Sequence, residues 1–297
     1  MRPLVSIVMR SYNDIEVIGQ TLRALKKQTF QNFELWNHDS SSLDGTLSEL
    51  MVNNDPSRIL VNDPSQYVPG KVLNKAVECC RGGIIVFLNS DATPTNEHWL
   101  EKLIQPLLDE LDSDEPTVGA VFGRQVARKN CWPLFVKDTE RAFGDGTTSA
   151  KWVHFFSMAN SAVRKDVALR YPFATDVQYS EDIEWSKRLK QDGLEIRYVQ
   201  EAVAIHSHNY SLKESYKRHY GEGKAEAAIF SGGEINFAFW RYVLAPVAME
   251  VLRDVWFGLR TLRPDAWLHT VPLRLAQKMG RWKGLRDGLM QRELVHD

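Results

Sequence analysis

Apolar residues come in short runs, each closed by a polar cluster. Leu4–Met9 is a β-rich run ending at Ser11-Tyr12-Asn13-Asp14, residue types suited to a loop and a helix N-cap. Ile15, Ile18, Leu22 and Leu25 then recur at helical spacing, predicting a helix over Ile15–Gln28. A second strand is predicted at Phe33–Trp36, followed by the polar loop Asn37–Ser42, and Asp44-Gly45-Thr46 opens a further helix. Arg58–Val61 reads as a third strand. Val72–Cys80 reads as a helix closed by Gly82-Gly83, and Ile84–Leu88 as a strand apolar enough to be buried on both faces of a parallel sheet. Strand, polar loop and helix thus alternate through the first hundred residues. That order predicts a doubly wound α/β layer sandwich with ligands beyond the C-terminal strand ends. Thr117–Arg170 is less regular and includes the aromatic stretch Trp152-Val153-His154-Phe155-Phe156. Ile196–Val199 and Ala202–Ile205 suggest a late strand, and from about Ser211 long helical stretches rich in Arg, Trp and Leu take over.

The chain has 297 residues, enough for one large α/β domain with an appendage. With 43% hydrophobic and 25% charged residues its composition is that of a folded globular protein. A net charge of −1 lacks the basic excess of a dedicated nucleic-acid binder. The 3 cysteines, Cys79, Cys80 and Cys131, suit free thiols in a reducing compartment better than a disulfide framework or a zinc site. Leu4–Met9 is too short for a signal-peptide core, and no run reaches the ~18 apolar residues of a membrane span, so a cytoplasmic location is expected. There is no GxGxxG after the first strand and no GxxxxGK[ST], which weighs against a dinucleotide oxidoreductase and a P-loop NTPase.

Four groups can carry chemistry. Asn89-Ser90-Asp91 follows a buried strand, where Asp91 can hold Mg²⁺ or Mn²⁺ against a diphosphate or simply make an Asp turn before Pro94. Glu181-Asp182 opens a helical pattern; the pair serves either as helix-start acids or as a general base acting on a hydroxyl. His206 and His208, alternating after a strand, would point to opposite faces, one of them as a metal or phosphate ligand. Ser11, Tyr12 and Asn13, with Asp39, lie at the first two strand ends and can bond a base and ribose, or form ordinary loops.

In this order the pieces resemble the family 2 glycosyltransferases over Val5 to about Gly223. Asp39-Ser40-Ser41-Ser42-Leu43-Asp44-Gly45-Thr46 resembles the family's DSGSTDGT stretch, Phe87–Pro94 its DxD strand and Glu181-Asp182 its ED motif. The resemblance implies a glycosyltransferase A (GT-A) fold: a Rossmann-like three-layer sandwich with a mostly parallel central sheet and a C-terminal helical extension. Residues 1–215 would form the transferase domain, with a nucleotide-sugar half to about 95 and an acceptor half from 96; residues 216–297 would form the helical region. Gly123-Arg124-Gln125, Phe155–Asn160, Glu181–Trp185, His206–Ser211 and Gly280-Arg281-Trp282-Lys283-Gly284 are more closely similar to bacterial rhamnosyltransferases of O-antigen (lipopolysaccharide) assembly.

The resemblance therefore implies inverting transfer of L-rhamnose from dTDP-rhamnose to a hydroxyl of a glycan or lipid-linked acceptor. Asp182 would be the base, supported by Glu181. Asp91 would hold the metal, with help from His206 or His208. Ser11, Tyr12, Asn13, Asp39, Lys71, Asn74, Ser90, Arg124 and Gln125 would line the nucleotide sugar, and Asn160 and Trp185 would touch donor sugar or acceptor. Two positions depart from the pattern: Asn89 replaces the first DxD acid, and Ser41 stands where the family has glycine. UDP-galactose, UDP-glucose or UDP-N-acetylhexosamine are alternative donors; an inactive sugar-nucleotide or glycan-binding module and a nucleotidyltransferase are rival readings. Between Arg241 and Arg286, basic residues and tryptophans interleave with few acids, which suits a peripheral helix on the inner face of an anionic membrane, or a solvated or oligomer-contact face.

Overall fold

The computed structural model describes residues 3–111, 113, 117–152, 155–230 and 238–296; Val153 and His154 of the aromatic stretch lie outside them. The chain divides into two compact units. The first comprises Met1–Arg128, Thr139–Asp176 and Glu181–His206, and the second Lys129–Asp138, Val177–Ser180 and Ser207–Asp297.

Along the chain the elements are β1 (Val5–Ser11), α1 (Ile15–Lys26), β2 (Phe33–Asp39), α2 (Thr46–Asn53), β3 (Ile59–Val61), α3 (Pro69–Cys79), β4 (Ile84–Asn89), β5 (Thr93–Pro94), α4 (Trp99–Leu108), β6 (Val118–Val126), α5 (Pro133–Phe143), β7 (Asn160–Arg164), α6 (Lys165–Arg170), α7 (Glu181–Gln191), β8 (Glu195–Ile205), α8 (Leu212–Phe230), α9 (Ala245–Thr261), α10 (Asp265–Leu268) and α11 (Thr270–His296). A π-turn at Trp240–Leu244 leads into α9.

Among the described residues the eight strands form one sheet in the order β3-β2-β1-β4-β7-β6-β8-β5. The pairs β1–β2, β1–β4, β2–β3 and β6–β8 are parallel, whereas β7 runs antiparallel to both β4 and β6, and β5 antiparallel to β8. This is the predicted α/β sandwich with a mostly parallel sheet. Its core has two faces: Ile7, Val86 and Leu88 pack with α4 residues Trp99 and Leu103, while Val8, Ile85 and Phe87 pack with Leu73 of α3 and Trp185 of α7.

Several predicted boundaries shift, for identifiable reasons. β2 runs on to Asp39 because Asn37, His38 and Asp39 are themselves buried, which a hydrophobicity pattern reads as loop. The stretch read as irregular holds β6 and β7. The β6 run is buried from Val118 to Gly123, but its glycines blur the strand signal. The two late apolar stretches are a single strand, β8, with a register shift opposite Gly123/Gln125. Asp14 stands at the N-cap position of α1 without capping it; the Asp44 carboxylate instead accepts from Ile15 N (3.0 Å) and Thr46 N (3.0 Å), capping α1 and α2 together.

In the second unit α8 and α11 lie against each other at backbone range. A Cβ on Gly284 would meet the Tyr220 carbonyl oxygen at 2.0 Å, and one on Gly280 the Tyr216 carbonyl oxygen at 2.4 Å. The four-residue spacing of these glycines keeps one small-residue face on α11, which explains the glycines of the Gly280–Gly284 motif. Among the described residues no helix is long and apolar enough to cross a membrane.

Candidate active site

The strand register fixes the site. Ser11 pairs with Asp39 across β1–β2, and Arg10 pairs with His38 on one side and Asn89 on the other. Side chains therefore converge where β1, β2 and β4 end, the expected place for a ligand in an open α/β sheet.

Asp39 is fully buried. It accepts from Ser11 Oγ, Ser42 N and Ser42 Oγ, each at 2.7 Å, so one carboxylate folds the loop around itself. Within that loop Ser41 has φ +58°, a left-handed backbone that glycine adopts freely and that costs another residue about 1 kcal/mol. Its hydroxyl donates to Asn62 O at 2.8 Å, which ties down the turn at the position where the family pattern carries glycine. Asn13, with φ +54°, joins the first loop to this one by accepting from Leu43 N at 3.0 Å, and its own N–H donates to Ser42 Oγ at 2.9 Å. Tyr12 projects into solvent.

At the end of β4, Ser90 donates to the Asp14 carboxylate. Burial, reinforced by the charges of Asp91 and Asp44, raises the pKa of Asp14. The Asp91 carboxylate stands 3.5 Å from His206 Nε2, and its backbone carbonyl accepts from Arg128. His206 Nδ1 lies 2.7 Å from Gln125 Oε1, and Gln125 Nε2 donates to Ser157 Oγ at 2.8 Å. With Gln125 as acceptor, Nδ1 carries the proton and Nε2 turns its lone pair towards Asp91, the arrangement in which an outer-shell partner orients a metal-ligating histidine. A carboxylate and an imidazole nitrogen facing each other repel unless a proton or a cation lies between them, so this donor set fits a divalent ion. The two histidines do not alternate on a strand as expected, because β8 stops at Ile205, before both. His208 belongs to the second unit, where it stacks on Tyr210.

Glu181 and Asp182 open α7, directly after Ser180, whose φ is +60°. Arg10 Nη1 donates to Glu181 Oε1 at 3.2 Å, and Nη2 to Asn89 Oδ1 at 3.3 Å. Burial first, and the neighbouring Glu181 charge second, push the Asp182 carboxyl up to about 7, against the hydrogen bond from Ile183 N and the charge of Arg10. A carboxylate titrating there can accept a proton at neutral pH. Arg10 is the residue that motif reading missed. Its signal was an arginine closing an apolar parallel strand, where a cation needs a partner. Beneath it His38 is buried with neither ring nitrogen hydrogen-bonded, and burial lowers its pKa to about 4, so it is neutral.

Three residues read as sugar contacts are scaffold. Trp185 is fully buried, stacked on Phe173 at 5.2 Å, with its Nε1–H donated to Tyr171 O; four residues after Glu181, it lies on the inner face of α7. Asn160 is also fully buried and accepts from Trp99 Nε1 (3.0 Å) while donating to Arg124 O (3.1 Å) and Ala202 O (3.0 Å), which stitches β7 to β6, β8 and α4. Asn74 binds the backbone of Phe173 at both N and O. Lys71 is exposed on α3, and Arg124 is partly buried with its charge near Asp145 and Tyr198.

The sequence pattern of "Glycosyl transferase family 2" matches residues 6–170, more than half of the chain. The chain belongs to this family. It is 29% identical to the O-antigen chain rhamnosyltransferase WbaN of Salmonella anatum, covering 95% of this chain and 91% of that one. To RfbN of Salmonella typhimurium, another O-antigen chain rhamnosyltransferase, it is 26% identical with the same coverages, 95% and 91%. In fold it is similar to the mannosyltransferase PcManGT from Pyrobaculum calidifontis, solved with GDP-Man and Mn²⁺ (TM-score 0.65, 19% identity, covering 98% of this chain and 88% of that one). S. aureus TarS 1-349, solved with UDP-GlcNAc, is similar at TM-score 0.55 and 13% identity, with coverages of 98% and 92%. The family 2 transferase fold is thus GT-A-like.

Proposed function

We propose that this family 2 glycosyltransferase moves L-rhamnose from dTDP-rhamnose, with inversion, onto a hydroxyl of a glycan or lipid-linked oligosaccharide at the inner face of the cytoplasmic membrane. The observation that carries the donor assignment is likeness along 95% of the chain to two O-antigen chain rhamnosyltransferases. Asp182 is the general base: its carboxyl, held near 7, takes the acceptor hydroxyl's proton as that oxygen attacks the anomeric carbon from the face opposite the diphosphate. Glu181, tied to Arg10, fixes the head of α7 and therefore the position of Asp182. The Ser11–Asn13 loop, and the Ser40–Ser42 loop that Asp39 folds around its buried carboxylate, hold the nucleoside. Asp91 and His206 are the candidate ligands of Mg²⁺ or Mn²⁺, which when bound would neutralise the leaving diphosphate. The test is nucleotide release from dTDP-rhamnose in the presence of a lipid-linked acceptor, set against GDP- and UDP-sugars. Preference for a UDP-sugar would keep the mechanism and replace the donor.

A further inference from the structure

The helix α9 is inside out. At about 100° per residue, its buried stripe consists of Val247, Glu250, Asp254 and Gly258, so the two acids face inward. There they are neutralised. Lys137 Nζ bonds Glu250 at 3.3 Å and also Asp254, Arg274 Nε bonds Asp254 at 2.8 Å, and Arg253 bonds Glu250 at 2.7 Å. The opposite face carries Leu252 (70% exposed), Trp256 (66%) and Leu259 (54%), flanked at the two ends by Trp240 (64%) and Leu262 (86%). A soluble helix ordinarily does the reverse, and a continuous apolar face of this kind marks an interaction surface.

The charge around it selects the occupant. Between residues 238 and 271 the acids are Glu250, Asp254 and Asp265. The first two are buried and the third is paired with Arg263 at 2.7 Å, whereas Arg241 and Arg260 are exposed beside the apolar face. Two copies meeting through this face would set arginine against arginine with no exposed acid of the patch to pair them. An anionic lipid surface satisfies both features at once: leucines and tryptophan enter the acyl boundary and the arginines reach the phosphates.

We propose that the outer face of α9, centred on Leu252 and Trp256, is a membrane-surface anchor that lies in the interface of an anionic bilayer. The inference rests on the lipid-linked acceptor of the proposed function for its purpose, but its evidence is the face itself. The buried ion pairs give the anchor rigidity, since they fix the helix to α11 and α5 whatever covers its outer side.

The test uses the full chain with sedimented vesicles of phosphatidylglycerol and phosphatidylethanolamine, or of phosphatidylcholine alone. Binding to the anionic vesicles, weakened at least tenfold by Leu252→Asn/Trp256→Asn and also by Arg241→Glu/Arg260→Glu, with melting temperatures unchanged because these side chains are exposed, is the expected result. Absence of binding to either vesicle overturns the proposal, as does equal binding by the variants. A dimer in light scattering that the apolar double variant dissociates, without vesicle binding, would assign the face to a second copy instead. Nucleotide release in solution is read in parallel. Its absence beside intact vesicle binding counts against the proposed function and not against the anchor; turnover without vesicle binding counts against the anchor alone.

Discussion

Replacing Arg10 by methionine removes a cation from among three acceptors while keeping most of the side chain's length. Arg10 donates to Glu181 at 3.2 Å, to Asn89 at 3.3 Å and to the Tyr67 hydroxyl at 3.5 Å. The side chains of Arg10 and Glu181 are 19% and 11% exposed, so the pair is mostly dry. Breaking a buried pair by deleting one partner costs about 3–5 kcal/mol, and the remaining exposure brings this to about 2–3 kcal/mol. For a chain of 297 residues that lowers the melting temperature by about 3–5 °C. The charge effect has a definite sign. Asp182 titrates near 7, above its ordinary value of 3.8, so its contribution to stability is full below that ordinary value and is lost as pH rises through 7. Without Arg10 the Asp182 carboxyl loses a cation that favours its charged form, and it holds its proton to higher pH. A nearby opposite charge is worth one to three units, so the Asp182 inflection moves up by about one unit. The assay is kcat/KM for nucleotide release from about pH 5.5 to 9.5, which reports the free enzyme's base. Wild type should rise towards a plateau with an inflection near 7, Arg10→Met near 8, and Arg10→Lys close to wild type. An unmoved inflection, with the rate lowered equally at every pH, would refute the electrostatic role and leave Arg10 as packing.

Further expectations follow from the same geometry. Gln125→Leu removes the acceptor that orients His206, so Mn²⁺ affinity measured by electron paramagnetic resonance should fall about 10–100-fold with the fold intact; unchanged affinity would detach His206 from the ion. Asn160→Ala leaves Trp99 Nε1 and two carbonyls without their partner, costing about 3 kcal/mol in urea unfolding, while KM for the donor stays near wild type. A raised KM with unchanged stability would restore its reading as a sugar contact. Gly284→Ala places a methyl against the Tyr220 carbonyl and should cost about 2–3 kcal/mol, read from thermal melts; tolerance would mean that the α8–α11 contact yields easily.

The first hundred residues were legible because parallel strands buried on both faces announce themselves as apolar runs, and Ile84–Leu88 is one. The middle was not. β6 mixes two glycines with Arg124 and Gln125, and its burial comes from neighbours β7 and β8, which are distant in sequence. The acids of the candidate site stand out in the sequence by position, after strands and before a helix. The error lay with the polar and aromatic residues around them. Residue type does not reveal which face of an element a side chain takes, so Asn74, Asn160 and Trp185 read as contacts although tertiary packing commits all three to the scaffold. Arg10 went unnoticed because its partners lie 79 and 171 residues away. In α9 the interleaved arginines and tryptophans were visible. The burial of Glu250 and Asp254, which turns the apolar face outward, depends on Lys137 and Arg274 and could not be read locally.

The most direct test of the central claim measures nucleoside-diphosphate release from a panel of dTDP-, UDP- and GDP-sugars with lipid-linked acceptors, with and without Mg²⁺ or Mn²⁺, using wild type and Asp182→Asn. The account predicts metal-dependent turnover of dTDP-rhamnose that falls at least a hundredfold in the variant, while nucleotide binding is retained. Turnover that survives in Asp182→Asn, or donor binding without turnover across every acceptor, would contradict it.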